Sequence, residues 1–233
     1  MLKKTKIWLS MILIFGTAVI VAAMIIRQGI PDAGLAEAHT SDVLETMTVT
    51  PDYAWGMNAE DLAMFEDFKS NMDKNVADIA SAPIVITATA DGTIDQSTGS
   101  IGQEVVVSEV KKGGDVLRPG EKIFVYQYFG FTADAGEIHY VEPLNIMKKG
   151  ETYLIFLDEV KWDVQNRLKS YIAQDTLFPY INIKGNDTKT LPRDLTSCPF
   201  SELEDYEFFS VSEDITDILN QMKKEILEQY RMI

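Results

Sequence analysis

The residues that could do chemistry in this chain are few, and their spacing matches no known catalytic motif. His139, one of two histidines, has Glu137 and Glu142 close to it in sequence. A serine hydrolase needs a histidine that is oriented by a carboxylate and faces a nucleophilic serine. The sequence contains neither the G-x-S-x-G motif of such enzymes nor the H-E-x-x-H motif of zinc proteases. We therefore interpret His139 as an ordinary strand or loop residue.

Adjacent carboxylates are a second chemical feature of the sequence. Glycoside hydrolysis needs two carboxyl groups at a defined separation across a cleft, and adjacency along the chain does not provide it. We predict no catalytic residues, no metal site and no cofactor, and we keep a hydrolase that uses acidic residues as an alternative. The adjacent pairs are Glu66 with Asp67, Asp158 with Glu159, and Glu204 with Asp205.

An aromatic cluster is the feature that indicates ligand binding. Tyr126, Tyr128, Phe129 and Phe131 lie at the end of one predicted strand, and Trp162 follows another. Such rings could stack on a sugar or a peptide, although packing inside a β-barrel is the competing explanation for them. Tyr126, Tyr128, Phe131 and Trp162 form the candidate ligand face.

Charge and cysteine content exclude several functional classes. The chain has 21 Lys and Arg against 36 Asp and Glu, a formal net charge of -15. Because nucleic-acid affinity comes largely from basic residues that neutralise phosphates, we expect no nucleic-acid partner. Cys198 is the single cysteine, which excludes an intrachain disulfide and a zinc site built from several cysteines. We expect Cys198 to be a small buried apolar residue.

The N-terminal region carries the strongest signal in the sequence. The stretch that begins at Ile7 and ends at Ile26 contains no charged residue, and a helix of that length would span ~30 Å, the hydrocarbon thickness of a bilayer. Three lysines precede it and Arg27 follows it, which favours a cytoplasmic N-terminus. This pattern predicts a single-pass membrane protein with an extracytoplasmic C-terminal domain. Cleavage as a signal peptide, which would give a secreted protein, is the alternative.

The remainder of the chain must position any site, and its first part is predicted as a spacer followed by a helix. Residues 28–57 have no sustained periodicity, with a short strand as an option at 46–50. Residues 58–80 are predicted as a helix capped by Asn58, with a break at 71–75 as an option.

A period of two from residue 84 to residue 160 predicts five strands. Turn residues separate them, Asp91-Gly92 among them, and this pattern favours a small antiparallel barrel or sandwich. Phe124, Tyr126 and Tyr128 are expected on one face of the third strand. The predicted strands are 84–90, 103–110, 121–129, 138–142 and 151–160.

The chain ends in a predicted amphipathic helix capped by Ser212. Its apolar stripe is expected to pack on the strands, with docking to a partner as the alternative. Lys223, Lys224 and Arg231 are expected toward the negative end of the helix dipole. The stripe consists of Ile215, Ile218, Leu219, Met222, Ile226 and Tyr230.

Three segments carry a resemblance to a known module: VADIASAPIVITATADGT at 76–93, VVVSEVKKGGDVLRPGEKIFVYQY at 105–128, and LNIMKKGETYLIFL at 144–157. Together they resemble exported bacterial proteins related to the OB-fold module of netrins and tissue inhibitors of metalloproteinases. The resemblance implies an OB-like barrel. Inhibitors of that family present an N-terminal cysteine to a catalytic zinc, and this chain has no cysteine there, so protease inhibition is not implied.

These observations predict an α+β protein with an N-terminal transmembrane helix and a small antiparallel OB-like β-barrel with flanking helices. Residues 1–27 are the cytoplasmic leader and signal anchor, 28–57 an extracytoplasmic spacer, and 58–233 the barrel domain. The expected function is that of a binding or interaction module of a bacterial cell envelope, with the membrane and a protein or cell-wall partner. The alternatives are an acidic-residue hydrolase and a structural subunit that docks through the C-terminal helix.

Overall fold

The computed structural model describes residues 47–50, 63, 66–67, 69–97, 100–128, 131–134, 137–140, 143–162, 169–174, 178–184, 188–192 and 194–232. The predicted membrane segment from Ile7 to Ile26 and the predicted cap Asn58 lie outside these residues. No helix within the described part of the chain is both long enough and apolar enough to cross a membrane.

The described residues form an α+β fold made mostly of strands. The helices are α1 (Met72–Ala80) and α2 (Glu213–Gln229), and a short 3-10 helix covers Phe200–Glu202. The strands are β1 (Thr48–Thr50), β2 (Ile84–Ser97), β3 (Ser100–Lys112), β4 (Lys122–Tyr128), β5 (Phe131–Asp134), β6 (Glu137–Tyr140), β7 (Thr152–Trp162), β8 (Lys169–Ala173), β9 (Tyr180–Asn182), β10 (Thr188–Thr190), β11 (Cys198–Pro199) and β12 (Phe208–Ser210).

The largest sheet has six strands in the order β2-β3-β4-β8-β7-β9, and β2 also pairs with β7. The pairings β2–β3–β4–β8–β7 therefore return to β2. Neighbours in this ring are antiparallel except β4 and β8, which run parallel with Val125 opposite Tyr171. A parallel pair needs a long connection, and β5, β6 and β7 lie between the two strands in sequence.

One predicted strand was assigned to the wrong sheet. Residues 138–142 were expected to be the fourth of the five strands, but β6 pairs with β1 and β5 in a second sheet of order β11-β1-β6-β5. The place in the ring belongs to β8, Lys169–Ala173. Alternation along a strand reveals its two faces but not its partners, so the sequence could not separate these cases.

The predicted turn at Asp91-Gly92 is wrong, because β2 continues through it to Ser97. The pairing with β3 shifts register between Ala90 and Ile94, and Gly92 has a φ of 97°. This is a β-bulge, in which a glycine adopts a backbone conformation that other residues rarely take. A Cβ on Gly92 would also lie 2.8 Å from Cδ of Lys149, so the side chain of Lys149 occupies that space.

Two apolar clusters hold the fold together. The larger contains buried residues of the six-stranded sheet and of both helices, with Val85, Leu154 and Tyr171 fully buried. The predicted stripe of α2 packs into it, as expected, and Ser212 occupies the N-cap position. The smaller cluster joins β1 to the distal ends of β2 and β3. It contains Met47, Val49, Ile94, Ile101, Ile146, Leu191, Cys198, Phe200, Leu203, Phe209 and Val211.

Candidate functional site

The four residues of the predicted ligand face occupy three strands. Tyr126 and Tyr128 lie in β4, Phe131 begins β5, and Trp162 ends β7 with its backbone opposite Lys169. The side chains of Tyr128, Phe131 and Trp162 lie outside the described residues. The ligand face as a whole therefore stays a prediction.

Tyr126 lies in a row of three residues that crosses β2, β3 and β4. Asp95 is opposite Gly102, and Gly102 is opposite Tyr126. Residues opposite one another point to the same side of a sheet, so the tyrosine ring reaches over the glycine to Asp95. A Cβ on Gly102 would lie 2.7 Å from ring carbons of Tyr126. Only glycine leaves room for the ring in this position.

The Tyr126 ring is 5% exposed, and its hydroxyl donates a hydrogen bond to the Asp95 carboxylate. Phe124 lies on the same face, as predicted, and is buried with its ring centroid 6.2 Å from that of Tyr126. For Tyr126, burial and the bond to Asp95 fit the packing explanation better than stacking on a ligand.

The accessible part of this face is a group of charges beside the bulge in β2. Lys122 donates hydrogen bonds to Glu104 at 2.5 Å and to Asp91 at 3.1 Å. Its side chain is 51% exposed. The hydrogen bond to Glu104, followed by that to Asp91, raises the pKa of Lys122 above its ordinary value. We call Asp91, Asp95, Glu104, Lys122 and Tyr126 the outer face.

Among the adjacent carboxylates of the sequence, Glu66, Asp67, Asp158 and Asp205 are exposed and Glu204 is half-buried. Asp67 accepts hydrogen bonds from the Asn71 side chain at the start of α1. Asp158 is exposed on β7, and Asp205 forms an ion pair with Lys148. Among the described residues, no group of three or more His, Cys, Asp or Glu side chains is placed to hold a metal.

His139 and Cys198 lie in β6 and β11, the two strands that pair with β1. The backbone of His139 pairs with Thr50, while its side chain lies outside the described residues. Cys198 pairs with Val49 and is buried, which confirms the prediction for this residue. Burial raises the pKa of the Cys198 thiol.

A buried charged cluster, which the sequence patterns did not predict, is formed by Glu207, Lys223 and Asn182. Glu207 accepts a hydrogen bond from Lys223 of α2 with one carboxylate oxygen. The other oxygen accepts the backbone N–H of Asn182, at the end of β9, at 2.5 Å. The side chains of Lys223 and Glu207 are 7% and 2% exposed. Burial raises the pKa of Glu207, although Lys223 and the Asn182 N–H act in the opposite direction.

The expected position of Lys223 is therefore corrected. It does not interact with the end of the helix dipole but points into the protein, four residues after Leu219 and three before Ile226 on the buried stripe. That helical spacing was visible in the sequence. Its partner Glu207 was not identifiable, because it precedes β12 and lies outside every helix and strand predicted from the sequence.

The loop that carries Glu207 is fixed by buried hydrogen bonds. The backbone N–H of Asn145 donates to the Glu207 carbonyl at 2.8 Å, and the Asn145 side chain donates to the carbonyls of Leu203 and Tyr206, each at 2.9 Å. The Asn145 carbonyl in turn accepts the Tyr180 hydroxyl at 2.8 Å. These bonds tie the loop to β9, so the Glu207 carboxyl group has a defined position.

Comparison with known proteins gives no family assignment. No protein-family model matches the chain. A search of curated proteins likewise finds no similar protein.

Proposed function

We propose that this protein is a single-pass membrane protein whose extracytoplasmic domain is an OB-like barrel that binds a protein or cell-wall partner at a bacterial cell surface. The observation that carries the proposal is the ring of pairings β2–β3–β4–β8–β7. An OB-fold is a five-stranded Greek-key barrel, and five strands whose pairings return to the first fit that description. The parallel pair β4–β8 supplies the crossover that such a topology needs.

The outer face supports the position of the binding site. OB-folds commonly bind ligands on the face of their second and third strands, which here are β3 and β4. The exposed Lys122 lies on this face between two carboxylates. A partner with both positive and negative groups would fit the outer face. Of the predicted aromatic residues, Tyr128 lies in β4 and Phe131 in β5, the next strand along the chain. Trp162 lies in β7, which pairs with β8.

The membrane anchor rests on the sequence alone. The uncharged stretch from Ile7 to Ile26 has spanning length, and the basic residues before it favour a cytoplasmic N-terminus. The alternative in which the C-terminal helix docks to a complex needs an exposed apolar stripe. Ile215, Leu219 and Met222 are fully buried within this chain, so we do not propose it.

Photo-crosslinking in intact cells tests the proposed binding face. A photoreactive amino acid replaces Lys122 on the outer face or, as a matched control, the exposed Gln221 on α2. We expect a discrete crosslinked species from position 122 and none of the same mass from position 221. Identical patterns from both positions, or cleavage of wall glycan by the purified protein, would contradict the proposal.

A further inference from the structure

The strand β1 completes a sheet whose other strands lie far from it along the chain. It runs parallel to β6 on one side and antiparallel to β11 on the other. Its partners are therefore residues 137–139 and residues 198–199. Among the described residues, no pairing of β1 involves a segment close to it in sequence. The place between β6 and β11, which we call the β1 slot, is thus formed by other parts of the chain.

The β1 slot fits one particular strand. Val49 is fully buried and Met47 is 6% exposed, whereas Thr48 between them is exposed, as in a strand with one buried face. On the β11 side, the Phe200 backbone N–H donates to the Met47 carbonyl at 3.0 Å. Bonded and non-bonded pairs alternate in an antiparallel ladder, so Pro199, which has no N–H, falls opposite Thr48 where none is needed. The slot therefore selects this strand and its register.

The chain leaves β1 in a way that suits a second molecule as well as its own. Thr50 precedes Pro51, and the residue before a proline is restricted to extended conformations, which disfavours a tight return. Residues 51–62 lie outside the described part of the chain, and their number sets a reach of up to about 40 Å at ~3.3 Å per residue. A strand as short as β1 can also leave its slot while the core of the fold stays intact, because such elements open locally.

We propose that β1 exchanges between two copies of this chain, so that β1 of each copy fills the β1 slot of the other. The paired residues are the same as within one copy, so the exchanged strand keeps its contacts. Exchange of an identical element is a low-cost route to a dimer, and the reciprocal form closes with twofold symmetry. A second copy is the occupant because it carries the sequence Met-Thr-Val-Thr that the slot already binds.

The exchange is independent of the proposed binding function. The outer face is built from β2, β3 and β4, and β1 pairs with none of these strands. Because the exchanged strand keeps its contacts, each outer face keeps its structure, and the dimer holds two of them. Two linked sites bind a multivalent partner more tightly than one site does. Failure of either proposal therefore leaves the other standing.

A disulfide between β1 and β11 tests the exchange. Val49 lies opposite Cys198, and in a bonded antiparallel pair the two Cα atoms are ~5.5 Å apart, a separation that a disulfide spans. The full chain with Val49→Cys is prepared in unlabelled form and in a form labelled with heavy nitrogen. Equal amounts are mixed in denaturant under reducing conditions, refolded together, checked by circular dichroism and then oxidised. Mass spectrometry of tryptic digests identifies the peptide pair that links position 49 to Cys198.

We expect peptide pairs that join a heavy half to a light half, approaching about half of all linked pairs at high protein concentration. Their share should fall on dilution, because exchange needs two molecules. Cys198→Ser in the same background should abolish the linked pair, since Cys198 is the single native cysteine. Thr48→Cys is the matched control, because its side chain lies on the exposed face of β1 and should link poorly to Cys198.

Two results would overturn the proposal. The first is a linkage from position 49 to Cys198 that joins only heavy to heavy and light to light halves at every concentration, which would mean that each copy keeps its own β1. The second is an equal yield of hybrid pairs from Thr48→Cys, which would mean that chance collisions link the chains. If Val49→Cys does not fold, a photoreactive residue at the exposed Thr48 decides between own-chain and exchanged β1 in the same isotope mixture, since this change leaves the core intact.

Discussion

The chain pairs a lysine with a carboxylate in two contrasting places. On the outer face, Lys122 is half exposed and bonds to Glu104 and Asp91 across neighbouring strands. In the interior, Lys223 and Glu207 are almost fully enclosed. The bonds are of the same type, but water screens the first and not the second. The surface group is therefore suited to contact with a partner, and the interior group to holding α2 in place.

The largest expected effect comes from breaking the interior pair. Lys223→Met leaves the Glu207 carboxylate buried without its cation, and removing one partner of a buried pair costs about 3–5 kcal/mol. We expect denaturant titrations at neutral pH to show that the free energy of unfolding falls by at least about 3 kcal/mol. Lys224→Met, at an exposed lysine paired with Glu228, is the matched control and should change it by less than about 0.5 kcal/mol. Equal losses of unfolding free energy in the two variants would mean that the buried pair contributes no more to stability than an exposed one.

The same variant gives a pH dependence with a definite sign. Lys223 lowers the pKa of Glu207, so in Lys223→Met the carboxyl pKa rises further above its ordinary value of 4.5. A group with a raised pKa in the folded state contributes stability below the unfolded pKa and loses that contribution as pH rises through the folded pKa. The deficit of Lys223→Met relative to wild type should therefore be smaller near pH 4.5 than at neutral pH. Unfolding titrations at both values measure it, and a deficit that grows toward acid would contradict this sign.

On the outer face, the largest effect is expected at the glycine under Tyr126. Gly102→Ala places a Cβ 2.7 Å from the ring, and overpacking of this kind costs about 1–3 kcal/mol. Gly114→Ala is the control, since no described atom lies within 4 Å of its added Cβ. Thermal melts of both variants should show a clear fall in Tm for Gly102→Ala alone. A neutral Gly102→Ala would mean that the ring does not lie over the glycine.

The smallest effect is expected at the surface lysine. Lys122→Ala removes hydrogen bonds to two carboxylates, yet exposed ion pairs contribute only about 0–1 kcal/mol. We expect the loss to shrink further in high salt, because ions screen such pairs. If Lys122→Ala lowers the free energy of unfolding by more than Lys223→Met does, the exposed ion pair stabilises the fold more than the buried pair, which would contradict this prediction.

The sequence predicts local structure well where one element determines its own pattern. The stripe of α2 from Ile215 to Ile226 repeats at helical spacing, and the structure buries it as expected. The strand β1 was visible in the alternating residues before Pro51. In both cases the period of apolar residues alone carries the information.

The sequence fails where the outcome depends on partners that are distant along the chain. Lys169–Ala173 occupies the ring position expected for residues 138–142, because register and pairing are decided in three dimensions. Asp91-Gly92 is typical of a turn but forms a bulge, since β2 pairs with β3 both before it, at Ala90, and after it, at Ile94. Glu207 could not be recognised as buried, because its burial requires Lys223 and the end of β9.

The proposed function requires the folded part of the chain to lie outside the cytoplasm, and protease accessibility measures this location most directly. Protease is added to sealed cells and to lysed cells, with an antibody tag placed after Ile233 and a cytoplasmic protein as the control for leakage. We predict that the tag disappears from sealed cells as fast as from lysed cells, while the cytoplasmic control stays intact. A tag that survives in sealed cells and is lost only on lysis would contradict the proposed location and, with it, the proposed function.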